Sequence, residues 1–169
     1  MIILSLAALL GAVACLIILC IIDFKHRLLP NVWVAAFLGC GLVFHIATAF
    51  AFVSPLEIFI GAVIGGVPLY IIRFFANRYY KADTLGLGDV KLMGAAGVWL
   101  GPYLILIAIS AGAMAGVVHG LIEASYLCFK MKRWPNMERF SLPAGPGFAV
   151  GIVIALVLML KDSPEIILP

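Results

Sequence analysis

The stretch MIILSLAALLGAVACLIILCIIDFKHR, residues 1–27, decides the fold class. Its first 22 residues carry no charged side chain, and an apolar run of about 20 residues is long enough to cross the hydrocarbon core of a bilayer. A cleaved signal peptide has basic residues before a shorter apolar segment, whereas here the basic residues Lys25 and Arg27 follow the run. We therefore expect a first transmembrane helix that is retained in the protein.

The rest of the chain repeats this apolar pattern. Of its 169 residues, 65% are hydrophobic and 11% charged, whereas soluble domains are about a quarter charged. We predict an all-α, polytopic membrane protein that forms one domain over residues 1–169. The fourth apolar run is short and rich in Gly and Ala, which lets helices approach closely. The predicted spans lie near residues 1–22, 32–53, 55–76, 89–100, 102–128 and 143–160.

The basic residues indicate the orientation of these spans. Ten of the eleven Lys and Arg residues fall in alternate connections, residues 23–31, 73–91 and 129–141, and only Lys161 lies on the other side. Because Lys and Arg are retained in cytoplasmic loops, the pattern predicts that both termini are extracytoplasmic and that the three basic loops are cytoplasmic. The net charge of +3 is too small and dispersed to suggest nucleic-acid binding.

Two acidic residues lie at the predicted cytoplasmic face. Asp23 ends the first apolar run, and Asp89 begins the fourth. An ionisable residue at membrane depth is costly and indicates a function by default. Two carboxylates that share one proton can hydrolyse a peptide, since the ionised one accepts a proton from water while the neutral one protonates the carbonyl oxygen. We therefore expect Asp23 and Asp89 to be catalytic.

Each acid also has a structural interpretation. Asp23 could form an interfacial ion pair with Lys25 or Arg27, and Asp89 could be the N-cap of the fourth helix, a position that Asp favours. Asp83 lies in a basic loop, where we expect it to be a solvated partner of Arg78 or Lys81.

Three residues beside Asp89 are candidates for substrate binding. Gly86 and Gly88 lack a Cβ atom, so an extended substrate segment could lie against their backbone and pair with it. Lys91 could steer an acidic group of the substrate or anchor the chain at the interface. It lies two positions after Asp89, so on a helix it points away from that residue.

Other polar residues do not form a site by their spacing. Glu123 has His119 one turn before it, which predicts a structural hydrogen-bonded pair. Neither the His nor the Cys residues have the spacing of metal ligands, so we expect no metal. These residues are His26, His45, His119, Cys15, Cys20, Cys40 and Cys128.

Three ordered motifs resemble those of type IV prepilin peptidases, which are membrane aspartic proteases of the Gly-x-Gly-Asp class. Residues 85–101, LGLGDVKLMGAAGVWLG, look like the signature of this family. Asp23, followed by basic residues and Leu29-Pro30-Asn31, is similar to the segment with the family's first catalytic Asp. Residues 142–151 resemble its Pro-Phe-Gly-Pro element, with Ala144 in place of the usual Phe. The resemblance covers essentially the whole chain.

The resemblance implies that Asp23 and Asp89 are the catalytic pair of a six-helix peptidase in the inner (plasma) membrane. Its substrates would be prepilins or pseudopilins, cut on the cytoplasmic side after a Gly that precedes the pilin's apolar helix. Longer members carry a Cys-x-x-Cys insertion associated with zinc and N-methylation. This chain passes directly from its first span to Asp23, so we expect no methyltransferase activity and no need for S-adenosylmethionine, zinc or another cofactor. The compact form is similar to peptidases of tight-adherence pilus systems.

Other functions remain open. A related Gly-x-Gly-Asp peptidase could act on preflagellins or other membrane proteins, and a noncatalytic pilus-assembly protein could bind pilin helices without cutting them. A transporter that uses the two acids as a proton relay is disfavoured, because both acids lie at one face.

Overall fold

The computed structural model describes residues 1–81, 85–131 and 144–161, and for residues 127–131 it describes the backbone alone. Within these ranges the chain is helical, in agreement with the all-α prediction. Asp83 and most of the basic loop 129–141 lie outside the described residues. The helices are α1 (Ile2–His26), α2 (Asn31–Ala47), α3 (Pro55–Tyr80), α4 (Leu87–Met131) and α5 (Gly145–Lys161).

Three of the described helices are long and apolar enough to cross a membrane. They are α1, α3 and the part of α4 that covers Leu87–Tyr126, whereas α2 and α5 are shorter apolar helices. The protein is therefore a membrane protein. Six membrane crossings stay a prediction.

Helix α4 folds back on itself at Gly101. A Cβ atom at Gly65 of α3 would meet both the Met93 carbonyl and the Ile105 side chain, which a straight helix would separate by about 18 Å. The turn occurs at Gly101, whose φ of 67° and ψ of −173° are accessible almost exclusively to Gly. Pro102 then starts the second segment. This break lies between the predicted fourth and fifth spans.

Glycines let these helices pack with their backbones in contact. Helix α3 packs on both segments of α4, and a Cβ atom at Gly61 or Gly97 would overlap the carbonyl of the other residue. The second segment of α4 packs against α5, where a Cβ atom at Gly151 would lie 2.6 Å from the Gly112 backbone nitrogen. No hydrophobic driving force brings helices together in lipid, so the van der Waals contacts that small residues allow stabilise such crossings instead.

A buried aromatic cluster joins α2 to the first segment of α4. Trp99 stacks on Phe37 at a centroid distance of 5.7 Å and donates its Nε1–H to the Phe37 carbonyl over 2.9 Å. The ring of Phe44 lies 5.2 Å from that of Trp99. The fully buried His45 contacts the Val98 carbonyl through Nε2 at 3.0 Å. These contacts hold the helix that carries Asp89 against α2.

Several helix ends differ from the predicted spans. Helix α1 continues to His26, so Asp23 lies in its last turn rather than in a loop, and the helix stops where Arg27 adopts the left-handed conformation. Helix α2 ends at Ala47, before the predicted residue 53, since Ala49 and Phe50 have positive φ. Helix α3 extends to Tyr80.

Candidate active site

Asp23 is buried against the start of α5. It lies in the last turn of α1 and is 4% exposed, and its Oδ2 accepts a hydrogen bond from the Gly145 backbone N–H at 3.1 Å. Gly145 is the first residue of α5, where backbone N–H groups lack partners within the helix and the helix dipole favours a negative charge. Asp23 thus accepts a hydrogen bond from the N-terminus of a helix that is distant in sequence.

Asp89 is buried in the first turn of α4. It is the third residue of that helix and 5% exposed, so it is not the N-cap. The Gly86 backbone, just before the helix, donates a hydrogen bond to its carboxylate. The second oxygen, Oδ1, has no hydrogen-bond partner within the described ranges. One carboxylate oxygen of Asp89 therefore remains available for a proton or a ligand.

The structure brings Asp23 and Asp89 together. Their carboxylates are close enough for a like-charge electrostatic interaction, although they belong to different helices. Arg27 also interacts electrostatically with Asp23. The structural interpretation of Asp23 named this residue as a possible ion-pair partner. Two carboxylates that interact strongly titrate as a pair, which is the property that shared-proton chemistry requires.

The two candidate glycines have different surroundings. Gly86 is exposed, and a Cβ atom there would meet Asp89 Oδ2 at 2.8 Å. Gly88 is half-buried under Leu29, since a Cβ atom at Gly88 would lie 2.7 Å from the Leu29 Cβ atom. The structure thus leaves the Gly86 side of the segment accessible and packs the Gly88 side against the α1–α2 connection.

Lys91 is not brought to the acid pair. Its Nζ donates a hydrogen bond to Asn31 Oδ1 at 3.0 Å, and both residues are exposed. Two residues along a helix correspond to about 200° of rotation, so Lys91 and Asp89 lie on opposite faces of α4. Lys91 borders a groove of about 410 Å³ between α2, α3 and the first segment of α4.

Two other polar contacts bear on the sequence predictions. His119 Nε2 lies 3.8 Å from Glu123 Oε2, so the two residues are neighbours as predicted but too far apart for the predicted hydrogen bond, and the His119 ring contacts Phe24 edge-on. Cys15, Cys20 and Cys40 are free thiols. Among the described residues no three His, Cys, Asp or Glu side chains are grouped so that they could hold a metal ion.

The contact between Gly145 and Asp23 was missed by the sequence analysis. The sequence indicates Gly145 only as part of the third motif, residues 142–151. In the structure α5 starts at Gly145, and a Cβ atom there would lie 2.7 Å from Asp23 Oδ2. The signal was the Gly itself, because close approach of a backbone to a buried carboxylate leaves no room for a side chain.

Comparison with known proteins decides the family. Residues 9–121 match the model of the type IV leader peptidase family. The chain belongs to this family. The matched residues include both Asp23 and Asp89.

Curated relatives from three bacteria show the extent of the similarity. The prepilin leader peptidase/N-methyltransferase of Dickeya chrysanthemi is 35% identical over 163 residues, which cover 89% of this chain and 51% of the relative. The protein of that name from Pseudomonas aeruginosa PAO1 is 30% identical over 142 residues, 83% of this chain and 46% of the relative. The type 4 prepilin-like proteins leader peptide-processing enzyme of Escherichia coli O78:H11 is 29% identical over 148 residues, which cover 86% of this chain and 49% of the relative.

The chain spans about half the length of the curated relatives it matches. The double name, leader peptidase and N-methyltransferase, describes those longer family members. No solved structure matches the chain.

Proposed function

We propose that this family member is an aspartic endopeptidase that removes the short basic leader from prepilin or pseudopilin precursors. The observation that carries the proposal is the convergence of Asp23 and Asp89, two buried carboxylates on different helices, in a chain of the leader peptidase family. Burying two carboxylates side by side opposes folding, so their convergence is more consistent with catalysis than with stability.

The reaction uses the one proton that the pair holds. The ionised carboxylate accepts a proton from water as the water oxygen attacks the scissile carbonyl carbon, and the neutral carboxylic acid donates its proton to the carbonyl oxygen. The C–N bond then breaks while the leaving amine takes a proton from the pair, and a hydroxyl of the tetrahedral intermediate returns a proton to the pair. A carboxylic acid and an amine are released, and the acid then ionises in water. Asp89 Oδ1, which has no hydrogen-bond partner among the described residues, would hold the shared proton or the water.

Substrate binding would involve the segment that precedes α4. The scissile segment must be extended, and its exposed peptide groups need partners, which the accessible backbone at Gly86 would supply. Gly88 would contribute by keeping this segment close to Leu29. Lys91 would act at a greater distance, by attracting an acidic group of the substrate toward the cytoplasmic end of α4.

We place this site at the cytoplasmic face of the plasma membrane, in a single domain with six crossings and both termini extracytoplasmic. The support is charge placement, since Lys25 and Arg27 follow Asp23 directly and alternate connections hold nearly all the Lys and Arg residues. For the residues of this chain we propose peptidase activity alone, since their sequence contains no Cys-x-x-Cys motif.

The test is a cleavage assay with the chain in membranes and a panel of candidate prepilins and preflagellins. Wild type should cut after the leader Gly, while Asp23→Asn and Asp89→Asn should each lower the rate by about 100- to 10,000-fold, because Asn cannot share a proton. Glu123→Gln is the matched control, since it neutralises a half-buried acid outside the site and should keep the wild-type rate.

Three outcomes would contradict the proposal. Near-wild-type cleavage by either Asp→Asn variant would make that acid structural. Binding of prepilins without cleavage by wild type would favour the noncatalytic assembly protein. Preferential cleavage of preflagellins would favour the related Gly-x-Gly-Asp peptidase.

A further inference from the structure

A second apolar groove runs along the outside of the helix bundle and ends beside Asp23. It has a volume of about 570 Å³, and its lining comes from α1 and α5 alone. Every lining side chain is apolar or a thiol, among them Val13, Ile17 and Phe24 of α1 and Val153 of α5.

The groove approaches Asp23 on both of its walls. An α-helix turns by 100° per residue, so the mean direction of the groove-lining residues of α1 is about 90° away from the direction of Asp23. Phe24, the last of these lining residues, directly follows Asp23 in the chain. On α5 the lining begins at Pro146, directly after Gly145, whose N–H binds Asp23. A chain lying in the groove therefore reaches Asp23 without crossing another helix.

The groove beside Lys91 does not have this relation to the acids. The α4 residues that line it, such as Gly94 and Val98, lie on the face of the helix opposite Asp89, about 190° of rotation away. A segment bound there would have to pass around the start of α4 before its peptide bond could reach the pair. Position thus distinguishes the two grooves, although both are mainly apolar.

The lining limits what can occupy the α1–α5 groove. Apolar walls offer no partners for peptide groups, so a polypeptide in this groove must satisfy its own backbone and be helical. The α1 wall extends from Val13 to Phe24, about 17 Å, which matches about three helical turns. Beyond Phe24 the polar surroundings of Asp23 and Gly145 can accept an unwound continuation of that helix.

We infer that the α1–α5 groove seats the apolar helix of the substrate, with the scissile segment unwound across Asp23 and Asp89. This inference rests on the proposed function, which requires an apolar helix directly after the cleavage site. The helix would enter sideways from the lipid, because the groove is open along its length to the outside of the bundle.

Photo-cross-linking tests the groove without catalysis. In the full chain carrying Asp89→Asn, benzoylphenylalanine replaces Ile17 or Val153 in the groove, Val67 on an exposed face of α3 that lines neither groove, or Ala35 in the Lys91 groove. The probe is a membrane-inserted precursor in which an apolar helix follows a basic leader. We expect adducts with the precursor at positions 17 and 153 and few at 67 or 35.

Every other pattern of adducts overturns the inference. Adducts concentrated at position 35 would place the helix in the Lys91 groove, and equal adducts at 153 and 67 would indicate nonspecific contact. Adducts only with lipid or with a second copy would assign the groove to those occupants. Because cleavage by wild type is measured separately, a failure of the groove and a failure of the peptidase proposal are distinguishable.

A kinetic comparison supplies a second measurement. Val153→Trp fills the groove, whereas Val67→Trp adds the same bulk to an exposed position of α3 that lines neither groove. The substrates are the membrane-inserted precursor and a short peptide that spans the cleavage site without the apolar helix. We expect the ratio of their kcat/KM values to fall about tenfold in Val153→Trp and to stay at the wild-type value in Val67→Trp. Equal ratios in both variants would contradict the inference.

Discussion

Gly145 donates its backbone N–H to Asp23 Oδ2 across 3.1 Å, and this hydrogen bond fixes the start of α5 against the end of α1. A Cβ atom on residue 145 would lie only 2.7 Å from the same oxygen, so the contact exists because the residue is Gly. The position of one proposed catalytic carboxylate therefore depends on the first residue of the last described helix.

Gly145→Ala should strongly reduce cleavage while the protein still inserts. The added methyl group must displace the Asp23 carboxylate or the start of α5, and a displacement of about 1 Å in a catalytic group can cost about 100-fold in rate. The measurement is the cleavage rate in membranes. Gly116→Ala is the control, because a Cβ atom there meets nothing within 4 Å. Equal rates in the two variants would show that Asp23 tolerates the shift.

Asp89→Asn should stabilise the fold even as it abolishes cleavage. The substitution removes a like-charge interaction with Asp23 and a buried carboxylate whose Oδ1 has no partner in the described part of the chain. Functional sites commonly oppose stability in this way. We expect the Tm in detergent to rise by about 2–4 °C, which corresponds to about 1 kcal/mol. Glu123→Gln should leave the Tm unchanged, and a lower Tm for Asp89→Asn would contradict the electrostatic argument.

Trp99→Phe should lower stability through the loss of one hydrogen bond. The ring can still stack on Phe37, but the buried Phe37 carbonyl loses the Nε1–H donor that contacts it at 2.9 Å. An unsatisfied buried group costs about 1–3 kcal/mol, so the Tm should fall by at least about 2 °C. Thermal unfolding of Tyr103→Phe, which changes a ring that is 79% exposed, provides the comparison. Identical Tm values would mean that the bond contributes nothing.

Gly97→Ala should disrupt the packing of α3 on α4. A Cβ atom at Gly97 would overlap the Gly61 carbonyl, and both partners are backbone atoms that cannot move separately from their helices. Overpacking of this kind costs about 1–3 kcal/mol. The yield of monodisperse protein in detergent and its Tm measure the effect. Gly66→Ala has ordinary contacts at 3.7 Å or more and should keep both, because Ala also favours a helix. A lower yield and a lower Tm for Gly66→Ala than for Gly97→Ala would contradict the close-packing argument.

The sequence was sufficient to predict features that depend on local composition. Apolar runs marked the helical segments, the Gly101-Pro102 pair marked the break in α4, and Asp23 and Asp89 stood out because charge is rare among apolar residues. Hydropathy failed at the end of α2, since the residues after Ala47 are apolar but leave the helix through the left-handed conformations of Ala49 and Phe50.

Contacts between distant residues could not be predicted in this way. Periodicity describes which face of one helix is apolar, and it contains no information on which other helix covers that face. The packing of Leu29 over Gly88 and the hydrogen bond from Gly145 to Asp23 both arise from the arrangement of helices in space. The same holds for the α1–α5 groove, whose two walls are separated by most of the chain.

The bond between Gly145 and Asp23 also sets the order in which the protein can mature during synthesis. Asp23 leaves the ribosome early, whereas its partner amide is made only after the first four described helices. Until α5 enters the bilayer and docks, the first carboxylate lacks the donor that positions it. On the proposed function, a chain that ends before Gly145 would carry both acids without this donor, and cleavage would wait until α5 has docked.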